Sequence, residues 1–545
     1  MEFSFFYFQH RYSICDKNAV YAVLFCRLCP YNISMKNKVL ANASIVTGLS
    51  VAERGLGFLY RIVLSRLIGA EGLGLYQVSL SLFSLFLTIG TGGIPITVSR
   101  MISKSKAEGN RRGGQNAVGA GVAACLLLTL PVCVILGLFG EKMTFLFSDA
   151  NAFKVFRILL VGLCFSSVYA VLRGGFWGNK EFLIPSITEI AEETVMVIAG
   201  VILLQNVASP LDGAQKAAWA VVVSYLFSFT LSSIWFFIRG GKISKPEKSL
   251  KPLFTASLPI TSVRASGSLV TSAVAVLFPL MLIRAGMSKS DAMSIFGVVS
   301  GMVLPVLFVP STIIGSIALV LVPELSEDFY RKNYTRLYTN LKRGLKFSFL
   351  VACALIPFFI SLGADLGALA FSNREAGQMI RNSSLILLPM SLTMITTAML
   401  NSMGFEKQTF AFYFVGAAAL LISILVLPPF CGGYAYIVGL FLSYLFTMLC
   451  NLIFLLKKCP IFEKRGGQVC VHEYLPALFG VFPISLFGSL LHNLLLPYTS
   501  TLINLTVSGA ALVLFTFLYY LAIGGITLPK RRVKGEKGVN TIQNG

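Results

Sequence analysis

Charged residues are scarce in this chain. Only 12% of its 545 residues are Asp, Glu, Lys or Arg, against roughly 25% in soluble domains, whereas 56% are hydrophobic. A soluble fold of this length could not hide such an apolar excess beneath a polar surface. The composition therefore excludes aqueous enzymes, disordered scaffolds and fibrous proteins, and it indicates an integral membrane protein.

Acidic residues are scarcer still, since 23 Asp and Glu accompany 45 Lys and Arg and leave a net charge of +22. A basic excess can indicate nucleic-acid binding. Here the positive charges form short clusters between apolar runs, which is typical of loops held against an anionic membrane leaflet, so we expect no nucleic-acid partner. The clusters are Arg100–Arg112, Arg239–Lys251, Arg331–Lys346, Lys457–Arg465 and Lys530–Lys537.

Residues for catalysis and metal binding are also few. The chain has three His, and its 11 Cys are scattered, with one Cys-x-x-Cys at Cys26–Cys29 that lacks a second ligand pair at zinc spacing. It contains no P-loop, no Gly-x-Ser-x-Gly and no His-Glu-x-x-His motif. The sequence therefore predicts no metal site, no cofactor, no enzyme activity and no ATP-driven step on this chain.

Apolar runs long enough to cross a membrane recur along the chain. About 20 apolar residues span the bilayer core, and we predict an all-α polytopic membrane protein with about fourteen transmembrane helices. The predicted spans lie at 40–64, 74–99, 115–138, 155–177, 183–204, 216–238, 253–283, 293–322, 345–363, 380–402, 408–429, 434–456, 474–496 and 502–528.

The spans group into units separated by basic segments. The predicted units are an N-terminal extension at 1–34, a first six-helix bundle at 35–238, a basic linker at 239–252, a second six-helix bundle at 253–456, a C-terminal helix pair at 457–528 and a basic tail at 529–545. Because the extension has no clean hydrophobic period, we interpret it as upstream translation with Met35 as the physiological start. The alternative is a genuine peripheral extension.

The two bundles are predicted to be repeats of each other. Features recur with an offset of about 220 residues: Arg66 pairs with Arg284, and Pro95 pairs with Pro323. Six helices fit in one period, so the halves should have the same orientation and be related by an axis along the membrane normal. This arrangement predicts a cleft between the two bundles, which favours a transporter over a channel.

The loop charges predict which way the protein lies in the membrane. With the N-terminus inside, the inner segments carry roughly 29 Lys and Arg and the outer segments about nine, a decisive bias under the positive-inside rule. We therefore expect a multi-pass protein of a bacterial cytoplasmic membrane with both termini in the cytoplasm.

Several arginines fall inside predicted spans, where a charge is costly and is usually functional. Arg54 and Arg61 are seven residues apart and so share one face of the first helix. Paired guanidinium groups suit a diphosphate, because each planar fork donates two hydrogen bonds to phosphate oxygens. Arg264 lies in the opening helix of the second bundle and should face the first helix across the cleft. The alternative is that these arginines satisfy neighbouring helices.

Two further arginines and three glutamates complete the candidate set. Arg173 ends the fourth helix and Arg66 ends the first, and for both the alternative is a side chain that extends to the membrane surface. The fifth helix carries Glu189, Glu192 and Glu193 at i, i+3 and i+4, hence on one face. Three close carboxylates in a low dielectric would not all ionise, so one could carry a coupling H⁺ or Na⁺. Alternatively, the cluster neutralises the nearby arginines.

The segment from Arg54 to Tyr76 reads RGLGFLYRIVLSRLIGAEGLGLY. With later segments such as Ser257-Leu-Pro-Ile-Thr-Ser-Val-Arg264 and Leu321-Val-Pro-Glu-Leu-Ser326, it resembles the family of stage V sporulation protein B and its polysaccharide-export relatives, over about residues 36–528. The resemblance implies the two-bundle fold of lipid II flippases, lipid-linked oligosaccharide flippases and multidrug antiporters.

The resemblance also implies a function. A relative of this kind would move an undecaprenyl-diphosphate-linked saccharide, a precursor of peptidoglycan or polysaccharide for the spore cortex or cell wall, across the cytoplasmic membrane by alternating access. Membrane lipids, a coupling cation and cell-wall synthesis enzymes would be its partners. The main alternative is a cation-coupled multidrug or metabolite antiporter of the same fold, and a second is a non-transporting scaffold for wall-synthesis enzymes.

The chain departs from the pattern of these relatives at two places. Their fifth helix usually reads Gln-x-x-Glu-Gln with an Arg soon after, where this chain has Glu189, Glu192, Glu193 and Met196. Phe278 stands where relatives can have an acidic residue before a proline. The cleft is therefore expected to be more acidic in the first bundle and less acidic in the second.

Overall fold

Long helices make up nearly all of the described chain. A computed structural model describes residues 35–139, 147–245, 249–458 and 474–524. Within these ranges there is no β-strand, and thirteen helices are long and apolar enough to cross a membrane. The extension and the basic tail expected at the two ends lie outside the described residues, so those two predictions stay untested.

The helices of the first half follow the predicted spans closely. They are α1 (residues 35–68) and α2 (residues 70–91), which are the two parts of the helix Met35–Thr91 on either side of Gly69, then α3 (Ile94–Ala107), α4 (Arg111–Phe139), α5 (Ala150–Gly178), α6 (Leu183–Leu203) and α7 (Pro210–Ile238). Gly69 has φ 69° and ψ −178°, a conformation that breaks the helix and that glycine adopts readily.

The second half and the C-terminal pair are also helical. They comprise α8 (Leu250–Arg284), α9 (Lys289–Gly297, continued by the π-helical segment Val298–Val303 and the turn Leu304–Leu307), α10 (Val309–Tyr330), α11 (Tyr334–Phe371), α12 (Arg374–Asn382), α13 (Leu387–Ser402), α14 (Glu406–Val426), α15 (Tyr434–Lys458), α16 (Leu475–Leu495) and α17 (Thr501–Ala522). Counting α2–α3 and α9–α10 as one span each, and leaving out the nine-residue α12, gives the fourteen spans predicted. The helix α6 is also counted as a span. Its three glutamates exclude it from the thirteen helices that are apolar enough to cross a membrane by composition alone.

The backbone turns confirm the internal repeat. Residues with positive φ recur in both halves: Gly69 with Gly286, Gly109 with Lys332, and Lys180 with Gly404, at offsets of 217, 223 and 224 residues. Each pair lies in the loop between equivalent helices, so the two halves share their topology.

The second and eighth spans are both interrupted. The span α2–α3 breaks at Gly92 and Gly93, and the span α9–α10 breaks at Phe308. A proline follows at the second position of α3 (Pro95) and of α10 (Pro310), where no backbone N–H is needed. At these breaks Pro310 therefore has the place that Pro95 has in the first half, and the predicted pairing of Pro95 with Pro323 stays a prediction.

The apolar core is continuous at one membrane face and divided at the other. We call the face with the turns at Gly109, Gly240 and Lys332 the basic face, because the predicted basic clusters lie there, and the other the opposite face. Towards the opposite face, one core cluster joins both halves. Towards the basic face, separate clusters form in the first half and in the second. The two halves therefore diverge towards the basic face.

Polar and backbone contacts hold the halves together at the opposite face. Arg66 donates from Nε to the Ala370 carbonyl at 2.8 Å and from Nη2 to the Leu369 carbonyl, so it caps the C-terminal end of α11. The Ser290 hydroxyl donates to Glu71 Oε2 at 2.7 Å. Arg66 thus joins the two halves from an exposed position at the end of α1, and its predicted part in the site stays a prediction.

At the basic face, α10 of the second half packs within its own half. Here α10 packs against α11 and α13 of its own half, whereas α3 packs against α4 and α5 of the first half. Both α8 and α9 of the second half contact α2, but α9 does so near the opposite face, at Gly74, whereas α8 also contacts α3 and α4. The cleft predicted between the bundles therefore opens towards the basic face, beside α8.

The C-terminal helix pair is attached to α11. The imidazole Nε2 of the buried His492 lies 2.5 Å from Asp365 Oδ2, and Asn504 Nδ2 donates to the His492 carbonyl at 3.0 Å. Ser361 on α11 donates to the Ser485 carbonyl at 2.9 Å. This polar network fixes α16 and α17 to the second half.

Substitution of Gly74 should destabilise the contact between the halves. A Cβ atom at this position would overlap the Met293 carbonyl oxygen in the backbone of α9, so Gly74→Ala should cost about 1–3 kcal/mol. We expect a lower midpoint of thermal unfolding in detergent. The control is Gly55→Ala, whose Cβ would meet no atom within 4 Å. Equal unfolding midpoints for Gly74→Ala and the parent would contradict this packing.

Candidate functional site

Ionisable side chains gather on three helices of the first half, within the depth of the membrane. Such charges are stable in a membrane only beside partners or in a water-filled cavity. We call this group the charged cluster: Glu53, Arg54, Arg61, Arg173, Glu189, Glu192 and Glu193. Apart from Arg66, all the first-half residues predicted for the site belong to it, and they come from α1, α5 and α6.

Arg173 and Glu189 form the best-defined pair of the charged cluster. Arg173 Nη1 donates to Glu189 Oε1 at 2.8 Å, and the two side chains are only 30% and 23% exposed. The guanidinium also lies over two rings, 5.7 Å from the Tyr169 centroid and 5.1 Å from the Trp177 centroid. Arg173 is therefore held in the wall of the bundle and does not extend to the membrane surface.

Glu193 connects α6 to α1. Its Oε1 lies against Gly57, 2.8 Å from the position that a Cβ atom would occupy there. Arg61, one helical turn further along α1, is half-buried and lies within electrostatic range of Glu193 and Tyr76. The carboxylate of Glu193 thus compensates the charge of Arg61, which the sequence predicts to bind the substrate.

Glu192 points away from both of these contacts. It lies near Ser228 of α7, and within electrostatic range of Glu189 and Arg173. Its Oε2 is buried and has no hydrogen-bond partner among the described residues. A buried, unpaired carboxylate oxygen is costly when charged, so Glu192 is the member of the charged cluster best suited to hold a proton.

Arg54 and Glu53 lie on the more open side of the charged cluster. Arg54 is exposed and Glu53 is half-buried, in the part of α1 that lies towards the basic face. Glu53 is within electrostatic range of Arg54, Arg173 and Glu189. Arg54 is therefore more exposed than Arg61, the other α1 guanidinium of the charged cluster.

Arg264 contacts the second span. Its Nη1 donates at 2.9 Å to the carbonyl oxygen of Gly92, at the break between α2 and α3. The predicted approach of Arg264 to the first helix stays a prediction. The contact with Gly92 was not foreseen, because nothing in the sequence marks a helix break at Gly92 and Gly93 as a partner for a distant arginine.

The aromatic lining of the charged cluster was also missed. Tyr169 and Trp177 stack on Arg173, and the buried Tyr60 and Tyr76 surround Arg61. Aromatic residues are frequent in every span, so the sequence gives no signal that separates these from lipid-facing ones.

The charged cluster as a whole can hold an anionic group beside Arg54 and a proton on Glu192. No group of three metal-ligating side chains occurs within the described residues.

Residues 39–329, more than half of the chain, match the family described as polysaccharide biosynthesis protein. Among curated proteins of Bacillus subtilis (strain 168), the chain is 23% identical to stage V sporulation protein B over 361 residues, which cover 64% of this chain and 69% of that protein. It is 22% identical to lipid II flippase MurJ over 409 residues, covering 69% of this chain and 74% of that protein.

Two solved structures show the same fold. One is lipid II flippase MurJ in an inward closed conformation, with a TM-score of 0.68, 14% identity, and coverage of 88% of this chain and 99% of that one. The other is an inward-facing multidrug resistance MATE family transporter of the MOP superfamily, with a TM-score of 0.61, 15% identity, and coverage of 75% and 96%. The chain therefore has the fold of these two proteins, a flippase and a transporter, as the resemblance implied.

Removal of the Glu189 carboxylate should destabilise the bundle. Glu189→Gln leaves the Arg173 guanidinium charged and without its ion pair in a mostly buried place, so we expect a loss of about 2 kcal/mol, below the cost of a fully buried pair because both side chains are partly exposed. The midpoint of thermal unfolding in detergent should fall. The double variant Arg173→Leu/Glu189→Leu, which removes both charges, should recover much of it.

The matched control for this pair is Glu181→Gln. Glu181 pairs with Arg239 at 3.7 Å near the basic face, where the two side chains are 31% and 55% exposed, so its loss should be nearly neutral. If Glu189→Gln and Glu181→Gln have the same unfolding midpoint, the ion pair of Arg173 with Glu189 does not stabilise the protein measurably.

Proposed function

Because the chain belongs to the polysaccharide biosynthesis protein family, we propose that it is a flippase for a lipid-linked precursor. Its substrate would be an undecaprenyl-diphosphate-linked saccharide for the cell wall or the spore cortex, carried across the cytoplasmic membrane by alternating access. The similarity to stage V sporulation protein B and lipid II flippase MurJ supports this substrate class. Cell-wall synthesis enzymes are candidate partners.

The observation that carries the proposal is the position of the charged cluster. It lies within the membrane, on the first-half side of a cleft that widens towards the basic face. Arg54 is exposed there, and Arg61 is half-buried on the same helix face, about two helical turns further along α1. A diphosphate with a lipid tail could keep its tail in the bilayer while its oxygens accept hydrogen bonds from these guanidinium groups.

The balance of charge in the cluster supports coupling to a cation. Four carboxylates accompany three guanidinium groups, so the cluster is neutral when one carboxyl is protonated. Glu192, with its unpartnered oxygen, is the candidate for that proton. Binding of an anionic diphosphate at Arg54 would favour a further cation on the glutamates, which links substrate binding to uptake of H⁺ or Na⁺.

The second candidate function is a cation-coupled multidrug or metabolite antiporter. The excess of carboxylates over guanidinium groups in the charged cluster favours it. The exposed Arg54 disfavours it, because a guanidinium in the cleft would repel a cationic drug. A scaffold without transport would need neither kind of charge within its spans.

Loss of either α1 arginine should impair transport. Arg54→Ala and Arg61→Ala each remove charge-assisted hydrogen bonds worth about 1.5–3 kcal/mol, which corresponds to roughly a 10- to 100-fold loss. Arg54→Lys keeps the charge but not the planar fork and should impair transport partly. The assay is rescue of a strain that lacks its own precursor flippase, with protein abundance measured by immunoblot.

The control for these variants is Arg157→Ala, which removes an exposed arginine at the opposite-face end of α5 and should rescue normally. Normal rescue by both Arg54→Ala and Arg61→Ala at parental abundance would argue against diphosphate binding at α1. The antiporter would then be the better candidate.

The basic face should be cytoplasmic under the positive-inside rule. Single cysteines placed at Lys245, or at Asp212 and Ser288 on the opposite face, can be tested in a variant without native cysteines. We expect a membrane-impermeant thiol reagent, added to intact cells, to label the cysteines at 212 and 288 and to leave the one at 245 unlabelled until the cells are opened. Labelling at 245 in intact cells would reverse the orientation.

A further inference from the structure

A polar stripe on α8 faces the second span along most of its length. Its members are spaced by three or four residues and therefore share one face of the helix. They are Ser257, Thr261, Arg264, Ser268 and Ser272, and we call their contact surface with α2 and α3 the seam.

Each turn of the seam makes a specific contact with the second span. Ser272 donates to the Ser81 carbonyl at 2.7 Å, and the hydroxyls of Ser268 and Thr88 lie 3.0 Å apart. Nearer the basic face, the Gly93 N–H donates to Thr261 Oγ1 at 2.9 Å. The seam is thus a ladder of single hydrogen bonds between the two halves.

The arginine in the seam stabilises the break of the second span. The chain leaves α2 at Thr91, so the last carbonyls of that helix have no partner within it. Arg264 supplies one partner by donating from Nη1 to the Gly92 carbonyl at 2.9 Å. A cation at a helix C-terminus is also favoured by the helix dipole. We call this hydrogen bond the latch.

The seam is built for close but reversible contact. A Cβ atom at Gly93 would overlap the Ser257 carbonyl oxygen, so the two backbones touch there without side chains between them. Hydrogen bonds between helices in a membrane are individually weak. The apolar contacts that α8 makes beside the seam are those of Leu253, Ile260 and their partly buried neighbours with the first half, a smaller set than the continuous apolar core at the opposite face.

We propose that Arg264 exchanges the Gly92 carbonyl for a phosphate oxygen of the substrate, so that binding of the diphosphate releases the latch and loosens the seam. This inference rests on the proposed function for the identity of the anion. A phosphate oxygen carries more charge than a carbonyl oxygen, so a guanidinium forms the stronger hydrogen bond with it. Because the two contacts compete for one group, each must weaken the other by the same free energy.

The exchange gives Arg264 a role different from that of Arg54. Arg54 would bind the diphosphate in the open part of the cleft without changing any contact between the halves. Arg264 would couple that binding to the second span, because its release leaves the C-terminal end of α2 without its cation. The seam then becomes the part of the protein whose stability the substrate controls.

A disulfide across the seam can report its opening. In a variant without native cysteines, Thr88→Cys/Ser268→Cys should form a disulfide under a mild copper oxidant, since the parent hydroxyls are 3.0 Å apart. Inorganic pyrophosphate, and separately a short-chain isoprenyl diphosphate, should slow this cross-linking by about fivefold or more, the lower range of typical coupling. The full-length protein in detergent is used, with sulfate at equal ionic strength as the salt control.

The matched control is a cysteine pair within the first half. Thr129→Cys/Ser167→Cys replaces two hydroxyls 3.4 Å apart on α4 and α5, and its cross-linking should not respond to either diphosphate. Adding Arg264→Ala to the seam pair should slow cross-linking without ligand and abolish the response. Adding Arg264→Lys should retain a smaller response, which keeps the test usable if the alanine variant does not fold.

The inference is overturned if both diphosphates leave cross-linking of the seam pair unchanged. It is also overturned if they slow it equally in the presence of Arg264→Ala or of Arg264→Lys. Failure of the proposed function looks different: the protein without substitutions would not rescue a flippase-deficient strain, while the seam pair would still respond to diphosphate through Arg264.

Discussion

The cost of placing charged side chains at membrane depth governs the organisation of the first half. A guanidinium or carboxylate there must find an opposite charge, a polar backbone group or water. The helices α1, α5 and α6 each carry such groups, so they can be stable only beside one another and beside a cavity. The pair of Arg173 with Glu189, with its guanidinium over the rings of Tyr169 and Trp177, shows how this requirement is met by an opposite charge.

The same requirement explains why the two membrane faces differ. At the opposite face, the halves share an apolar core, and Arg66 donates hydrogen bonds to carbonyls at the end of a helix. At the basic face, the core divides and charged groups remain on the walls of the cleft. A structure closed by apolar packing at one face and by single hydrogen bonds at the other will open more easily at the second.

The fold could be predicted from the sequence because apolar length and charge placement are strong, local signals. The fourteen spans, the repeat and the shared helix face of Glu189, Glu192 and Glu193 follow from spacing alone. The breaks at Gly92 and Phe308 could not be predicted, because a glycine or an aromatic residue inside an apolar run fits an unbroken helix equally well. The roles of Arg66 and Arg264 depend on contacts across more than a hundred residues, and helical periodicity carries no information about such partners.

The repeat also shows how two similar halves came to have different chemistry. The offset of 217 residues between Gly69 and Gly286 places Phe278 of α8 at the position that Arg61 occupies on α1. Phe278 is fully buried against Phe296 and Tyr436, so the second half has an aromatic core where the first half has a charge. Within the described part of α8, Arg264 is the cation far from both helix ends, and it lies on the seam with the first half. The position that carries a charge on α1 is therefore apolar on α8, and the cation that α8 carries far from its ends lies at the contact with the first half.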